Sequence, residues 1–335
     1  MTIKDISKAC GVSVSTVSRA LNNHPDINPE TKQKIMEVIE STGFVPNDSA
    51  RYLKRTDANN IALVVKGITN PLFSQMIRIM EDKTHNAGYE TILRHVGPME
   101  DEVSIAQVLV KSRKLKGIVF LGGAFTHDEN AVKTLGVPFV FSTIGNRERR
   151  YSNVAIDDLE AAYTATKYLI DKGHRNIGII TEGLSVPSIG ELRLSGYKKA
   201  LSEAKIQYNE KYVYEITEGI EHYTMGNGYA AAGKLIKNAP ELTAIFCISD
   251  VLAIGACRAV RDSGRKIPRD ISIMGFDGIE EGDYFLPRIT TMSQPTEKLA
   301  DETINILLDM IENEAEPKNV VMKAELIEKE SVLAV

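Results

Sequence analysis

A chain of 335 residues with 43% hydrophobic content can bury a large core and divide into two or three globular units. Its three cysteines, Cys10, Cys247 and Cys257, form no CxxC pair and leave an odd count, so they support neither a disulfide framework nor a zinc site and read as small apolar packing residues. The net charge of −5 argues against indiscriminate nucleic-acid binding, yet the first 56 residues carry eight Lys/Arg against six Asp/Glu, an excess of +2 that leaves −7 on the remainder.

The opening MTIKDISKACGV has no apolar h-region, and no later run approaches the roughly 18 apolar residues of a membrane span. The expected location is therefore cytoplasmic, with no membrane partner. Thr2 and Asp5 have capping-box spacing, and Ile3, Ile6 and Ala9/Cys10 share a helical face, which predicts a first helix ending near Gly11. After the turn Gly11-Val12-Ser13, a second helix runs from Val14 to about Asn22. Val17, Ala20 and Leu21 face inward, and Ser15, Arg19 and Asn22 face outward. Pro25 breaks the chain, and Asn28-Pro29-Glu30 restarts it as a third helix to about Thr42, closed by Gly43, with Ile35, Val38 and Ile39 inward.

Three short helices with a tight glycine turn between the first two make a helix-turn-helix unit. Any small helical bundle shares that spacing, so the residues decide the reading. An outward Ser15/Arg19 pair early in the second helix suits major-groove reading, because Arg can bond guanine through two N–H groups. Ser13, Thr16, Ser18 and Asn22 around it are the hydroxyl and amide types that hold phosphates. Residues 47–55, NDSARYLKR, can form about two helical turns, too few to be stable alone, and so read as a linker until something orders them.

From Asn60 onward, short β-branched runs alternate with longer amphipathic stretches. IALVV (61–65), TILRH (91–95), GIVFL (117–121) and PFVFS (138–142) are followed by NIGII (176–180), AIFCI (244–248) and ISIMGF (271–276). Helix-length segments at 158–172, 190–204 and 250–264 separate the later runs. Unalternating apolar runs indicate strands buried on both faces, hence parallel sheets covered by helices. Two such series predict two doubly wound α/β lobes with a ligand crevice at their facing strand ends.

The run TIKDISKACGVSVSTVSRALN, with INPETKQKI and GFVPNDSARYLK after it, resembles the LacI/GalR family of bacterial repressors, and the resemblance extends over the whole chain. It implies a helix-turn-helix domain (1–46), a hinge helix and linker (47–59), and a periplasmic-binding-protein type I sensor and dimerisation domain (60–335). The first lobe would combine 60–157 with 289–318 and the second 158–288 with 319–335. The resemblance places Val14, Ser15 and Arg19 against bases and Thr2, Ser18, Asn22, Thr31 and Asn47 against phosphates. Ala50 and Leu53 match hinge positions in the minor groove, where an inserted leucine unstacks and kinks the duplex. It further implies a homodimer on a pseudo-palindromic operator and a carbohydrate-related effector.

For that effector the resemblance points to Asn70 and to Phe73 as a packing aromatic. Arg193 would hydrogen-bond hydroxyls or carboxylates, Tyr223 would stack, and Asp250 and Asp277 would act as acidic contacts. Ser142 and Pro187 stand where some family members carry polar or charged ligands, which argues against transferring purine or lactose specificity. GNGYAA (226–231) fits a dinucleotide fingerprint but lies about ten residues beyond the nearest strand, so a helix with small packing residues is expected instead. The Asp277–Arg288 stretch lacks calcium ligands at two positions, the six histidines show no metal spacing, and His174 reads as a structural loop residue. The alternatives are a ligand-binding protein whose headpiece contacts other proteins, or a nucleotide- or sugar-processing enzyme. No nucleophile, base or metal cluster supports the enzyme, and no cofactor is implied.

Overall fold

The computed structural model describes residues 2–21, 26–42, 59–97, 99–125, 127–144, 150–183, 187–217 and 222–335. They belong to two compact units, divided between residues 58 and 59. Asn22, Asn47, Ala50 and Leu53, and with them the expected hinge helix, lie outside the described residues, as does Gly43.

In the first unit α1 (Ile3–Cys10), α2 (Val14–Leu21) and α3 (Pro29–Thr42) surround a core of Ile6, Cys10, Val17, Ala20 and Ile35. Each helix starts where the sequence supplies a cap. The Asp5 carboxylate accepts from the Thr2 amide at 2.8 Å and the Thr2 hydroxyl at 2.9 Å. Ser13 Oγ accepts from the Thr16 amide at 3.1 Å, and Asn28 Oδ1 from those of Glu30 and Thr31 at 2.9 and 3.2 Å. Gly11 closes α1 at φ 69°, a conformation a β-carbon disfavours. Of the Ala9/Cys10 alternatives, Cys10 takes the inner position, one full repeat beyond Ile3, and Ala9 is exposed.

The second unit holds two six-stranded sheets. The first-lobe sheet has the order β11-β5-β4-β3-β1-β2, from β1 (Asn60–Lys66), β2 (Glu90–Val96), β3 (Leu115–Leu121), β4 (Phe139–Ser142), β5 (Ser152–Ile156) and β11 (Asn319–Met322). The second-lobe sheet has the order β12-β10-β9-β8-β6-β7, from β6 (Ile177–Glu182), β7 (Val213–Ile216), β8 (Ala244–Cys247), β9 (Ser272–Asp277), β10 (Thr290–Ser293) and β12 (Glu325–Ile327). Every pairing is parallel except β10 with β12. Central β1, paired to β2 on one side and β3 on the other, is buried from Ile61 to Val65, whereas β2 at the sheet edge exposes Leu93 and Arg94.

The lobe boundaries drawn from sequence shift at the C-terminal end. Thr290–Ser293 pairs with β9 and so belongs to the second sheet, and Asn319–Met322 pairs with β5 and so belongs to the first. The intervening α12 (Thr296–Glu312) covers the first sheet, as expected for that lobe. The chain thus crosses between lobes at 157, at 294–295 and at 323–324.

Between these strands run α4 (Pro71–Asn86), α5 (Glu102–Arg113), α6 (Glu129–Lys133), α7 (Asp158–Asp171), α8 (Ile189–Glu203), α9 (Met225–Asn238), α10 (Asp250–Asp262) and α11 (Glu281–Tyr284). The GNGYAA segment lies in α9, where it serves packing. A β-carbon on Gly228 would stand 2.2 Å from the Leu252 carbonyl oxygen, and one on Gly255 of α10 would stand 2.0 Å from that of Met225. His174, fully buried, joins Thr243 Oγ1 at 2.9 Å and the Leu333 carbonyl at 3.0 Å, a structural staple for the C-terminal segment. All three cysteines are buried and free. Among the described residues no helix is long and apolar enough to cross a membrane.

Candidate functional site

The first unit presents one face of α2 to solvent. Val17 and Ala20 turn inward at helical spacing, which leaves Val14 at 38% exposure, with Ser15 and Arg19 exposed beside it. Arg19 Nη1 stands 3.3 Å from Asp26, and both side chains are more than half exposed, so screening makes this pair a weak restraint that a stronger anion can replace. Ser13 Oγ lies 2.6 Å from Ser15 Oγ and 2.8 Å from Thr16 Oγ1, forming a small hydroxyl cluster at the start of the helix. Thr16, Ser18 and Thr31 are half-buried, and Thr2 is exposed with its hydroxyl turned to Asp5. Helix start, hydroxyls and guanidinium therefore share one surface.

In the second unit a crevice of about 430 Å³ opens between the lobes. Its walls come from the segments at the carboxyl ends of β1, β2, β3, β4, β6, β7, β9 and β10, where side chains and backbone groups no longer serve the sheet ladder. Asn70, Phe73, Arg193, Tyr223 and Asp277 all line it, as does Pro187. Asn70 caps α4, its Oδ1 accepting from the Leu72 amide at 3.0 Å, while its Nδ2 reaches across the crevice to Asp277 Oδ2 at 3.5 Å. Phe73 is 9% exposed. Its ring seats against Gly122, where a β-carbon would collide with it at 2.8 Å, so the aromatic belongs to both core and wall.

Asp277 is the junction of the site. It sits at φ 111°, a region costly for a residue with a side chain, and is held there from three directions. Gln294, on the second crossover, donates its amide side chain to Oδ1 at 2.8 Å and its backbone N–H to the Asp277 carbonyl at 2.9 Å. Asn70 adds the contact from the first lobe, and Arg193 Nη1 stands 3.9 Å away. Burial pushes the Asp277 carboxyl up to about 6 despite Arg193.

Arg193 is 4% exposed. Its Nε donates to Asp158 Oδ1 at 2.9 Å, Nη2 stands 2.8 Å from the same oxygen, and Nη1 donates to the Ile248 carbonyl. The guanidinium also lies over the Phe276 ring at 3.6 Å. Burial works against its charge, but Asp158 and Asp277 together hold its pKa above the ordinary arginine value. Arg193 is thus neither a surface ion pair nor a free fork. It is a buried guanidinium bonded to Asp158, just past the first crossover, and facing Asp277, which the second crossover clamps.

Two expected positions fall behind the wall. Asp250 is fully buried, because as the first residue of α10 it turns under the loop after β9 and accepts from the amides of Gly278 and Ile279 at 2.7 and 2.9 Å. It supports Asp277 rather than lining the crevice, and burial raises its carboxyl to about 7. Ser142 is buried against Thr303 at 2.9 Å, and its neighbour Thr143, at φ 67°, takes the place on the wall.

Sequence reasoning passed over Lys66, His95, Glu182 and Gln294, all on the wall. Lys66 and Glu182 are, like Asp277, the charged last residues of apolar strands, a signal visible in the sequence. Lys66 Nζ stands 3.2 Å from the buried Glu102 carboxylate and donates to the Glu100 carbonyl at 3.0 Å. Glu182 Oε1 accepts from the Gly190 amide at 2.8 Å. Burial, with Glu182 beside it, holds the Tyr223 phenol well above its usual pKa.

Residues 2–47 match the family model for bacterial regulatory proteins, lacI family, and residues 166–332 match that for a periplasmic binding protein-like domain. The chain is 37% identical over 342 residues to an HTH-type transcriptional regulator, MalR, of Clostridium butyricum, with 99% of each chain covered. It is 31% identical to the ribose operon repressor of Haemophilus influenzae, covering 99% of this chain and 98% of that one. Among solved structures, a transcriptional regulator CelR–cellobiose complex superposes with a TM-score of 0.71 at 28% identity, with 99% of each chain covered. The α2 surface, the crevice at the carboxyl ends of two parallel sheets and full-length similarity to named regulators converge: the chain belongs to the LacI family of bacterial transcriptional regulators.

Proposed function

We propose that this regulator is a repressor that binds a pseudo-palindromic operator as a homodimer, and that a sugar held between the two lobes sets its affinity for DNA. The observation that carries the effector assignment is the composition of the crevice: an aromatic wall at Phe73 and Tyr223, with the hydrogen-bonding groups of Asn70, Arg193 and Asp277 around it. Aromatic faces suit the C–H surface of a sugar ring, and planar carboxylate, amide and guanidinium groups suit its hydroxyls. The relatives' names carry the same chemistry, one referring to ribose and one structure holding cellobiose.

On the DNA side Val14, Ser15 and Arg19 read bases, with Thr2, Ser13, Thr16, Ser18, Asn22, Thr31 and Asn47 on phosphates and Ala50 and Leu53 in the minor groove. The crevice serves binding alone, and the protein acts at operator DNA in the bacterial cytoplasm. Coupling requires the sugar to favour one lobe arrangement over the other. Asp277 and Gln294 are placed for that, since they join the pocket to a crossover.

The test is operator affinity, measured by fluorescence anisotropy with and without maltose, cellobiose or ribose. One of the three is expected to change the dissociation constant by roughly tenfold or more, and Asp277→Asn to reduce that change. Operator affinity indifferent to all three would overturn the sugar assignment.

A further inference from the structure

The polar end of the crevice is unevenly charged. Asp158 and Asp277 flank the Arg193 guanidinium, Asp250 lies behind Asp277, and Glu182 stands on the same wall, with Lys66 on the facing lobe. Asp158, Asp250 and Asp277 are at most 2% exposed, and burial raises all three carboxyls above the ordinary range, which leaves the half-buried Glu182 as the carboxylate that faces an entering ligand. Arg193 is already committed to Asp158, to the Ile248 carbonyl and toward Asp277. The Lys66 ammonium on the facing lobe is held by the Glu102 carboxylate and the Glu100 carbonyl. Neither is free to take a phosphate.

Glu182 differs from the other three. It is half-buried on the wall, one carboxylate oxygen fixed by the Gly190 amide at the start of α8, with Tyr223 beside it. It therefore presents a fixed negative charge to whatever enters from the β6 side. The Tyr223 phenol donates its one proton to Glu182, so ligand hydroxyl groups can donate to the carboxylate and to the phenol oxygen, whereas a second anion would meet like charge. The carboxylates do not form an open cage for an ammonium ion either, because Asp158, Asp250 and Asp277 already accept from Arg193, Gln294 and backbone amides.

We propose that the crevice selects uncharged sugars and rejects their phosphorylated forms, with Glu182 the specificity-determining residue that excludes the phosphate. This rests on the sugar reading of the same site and adds the charge of the ligand. Rejection by a fixed like charge is a device of specificity separate from the contacts that give affinity.

Isothermal titration calorimetry of the full chain against matched pairs tests it: maltose and maltose 6-phosphate, cellobiose and cellobiose 6-phosphate, ribose and ribose 5-phosphate. At least one neutral member should bind, with its phosphorylated partner weaker by about 100-fold or more. Glu182→Gln, which retains an oxygen for the Gly190 amide, should narrow that gap by about tenfold or more. A phosphorylated member binding as well as its neutral partner would overturn the proposal and leave the sugar reading standing. A gap unchanged in Glu182→Gln would remove Glu182 from the role. If neither series binds, the sugar reading fails and takes this inference with it.

Discussion

Asp250 and Asp277 show how far a single side chain can be read from sequence. Both follow strands of the second sheet, and the rule that ligands bind beyond the carboxyl ends of such strands selects both. Only Asp277 reaches the crevice, because Asp250 opens α10 and the helix turns its carboxylate under the Gly278–Ile279 amides. Side-chain direction at a strand-to-helix junction depends on the cap, and the cap here is Ser249, whose Oγ accepts from the Leu252 amide. The buried carboxyl has a measurable consequence. The folded chain keeps the Asp250 proton up to about pH 7, whereas the unfolded chain releases it near the ordinary Asp value of 3.8. Between those limits the folded state binds the extra proton, so its contribution to stability falls as pH rises and is fully lost above pH 7. Asp250→Asn retains an acceptor for the two amides and has no such proton to lose. Urea unfolding of both proteins at pH 5 and pH 8 should therefore show the variant gaining more than about 1 kcal/mol relative to wild type between the two. An equal pH response in both proteins would place the titration elsewhere.

At the scale of elements, long apolar runs announced the buried strands and periodic segments announced the helices that cover them. Short segments such as TTMS (290–293) and NVVM (319–322) did not announce their sheet. Four residues carry too little pattern, and partner choice is settled by the crossovers: Thr290 pairs with Met274 in one lobe and Asn319 with Asn153 in the other. The packing of α9 on α10 gives the element-scale prediction. The two helices approach through Gly228 and Gly255, where an added methyl group would meet backbone rather than a movable side chain. Gly228→Ala should cost about 1–3 kcal/mol in urea unfolding. Gly233→Ala in the same helix, with nothing within 4 Å of its β-carbon, should be neutral or stabilising by up to about 1 kcal/mol. Equal effects at both positions would mean that helix propensity, not close approach, sets the cost.

Across the whole molecule, chemistry divides between two compact units. The first offers hydroxyls and a guanidinium on one helix face, and the second a polar crevice whose clamped Asp277 sits next to a crossover. That division was legible because caps, glycine turns and apolar periodicity are local signals. The crevice's charge balance was not, since it depends on which of Lys66, Glu102, Asp158, Glu182 and Arg193 meet after folding. Sequence-specific DNA reading through α2 is tested by selecting duplexes from a random pool with the full chain and with Arg19→Ala and sequencing the retained fraction. The wild-type chain should enrich an inverted repeat, and Arg19→Ala should lose about 10- to 100-fold in preference at symmetric positions of it. Retention that is sequence-blind, abolished by moderate salt and unchanged in Arg19→Ala would mean that α2 does not read bases.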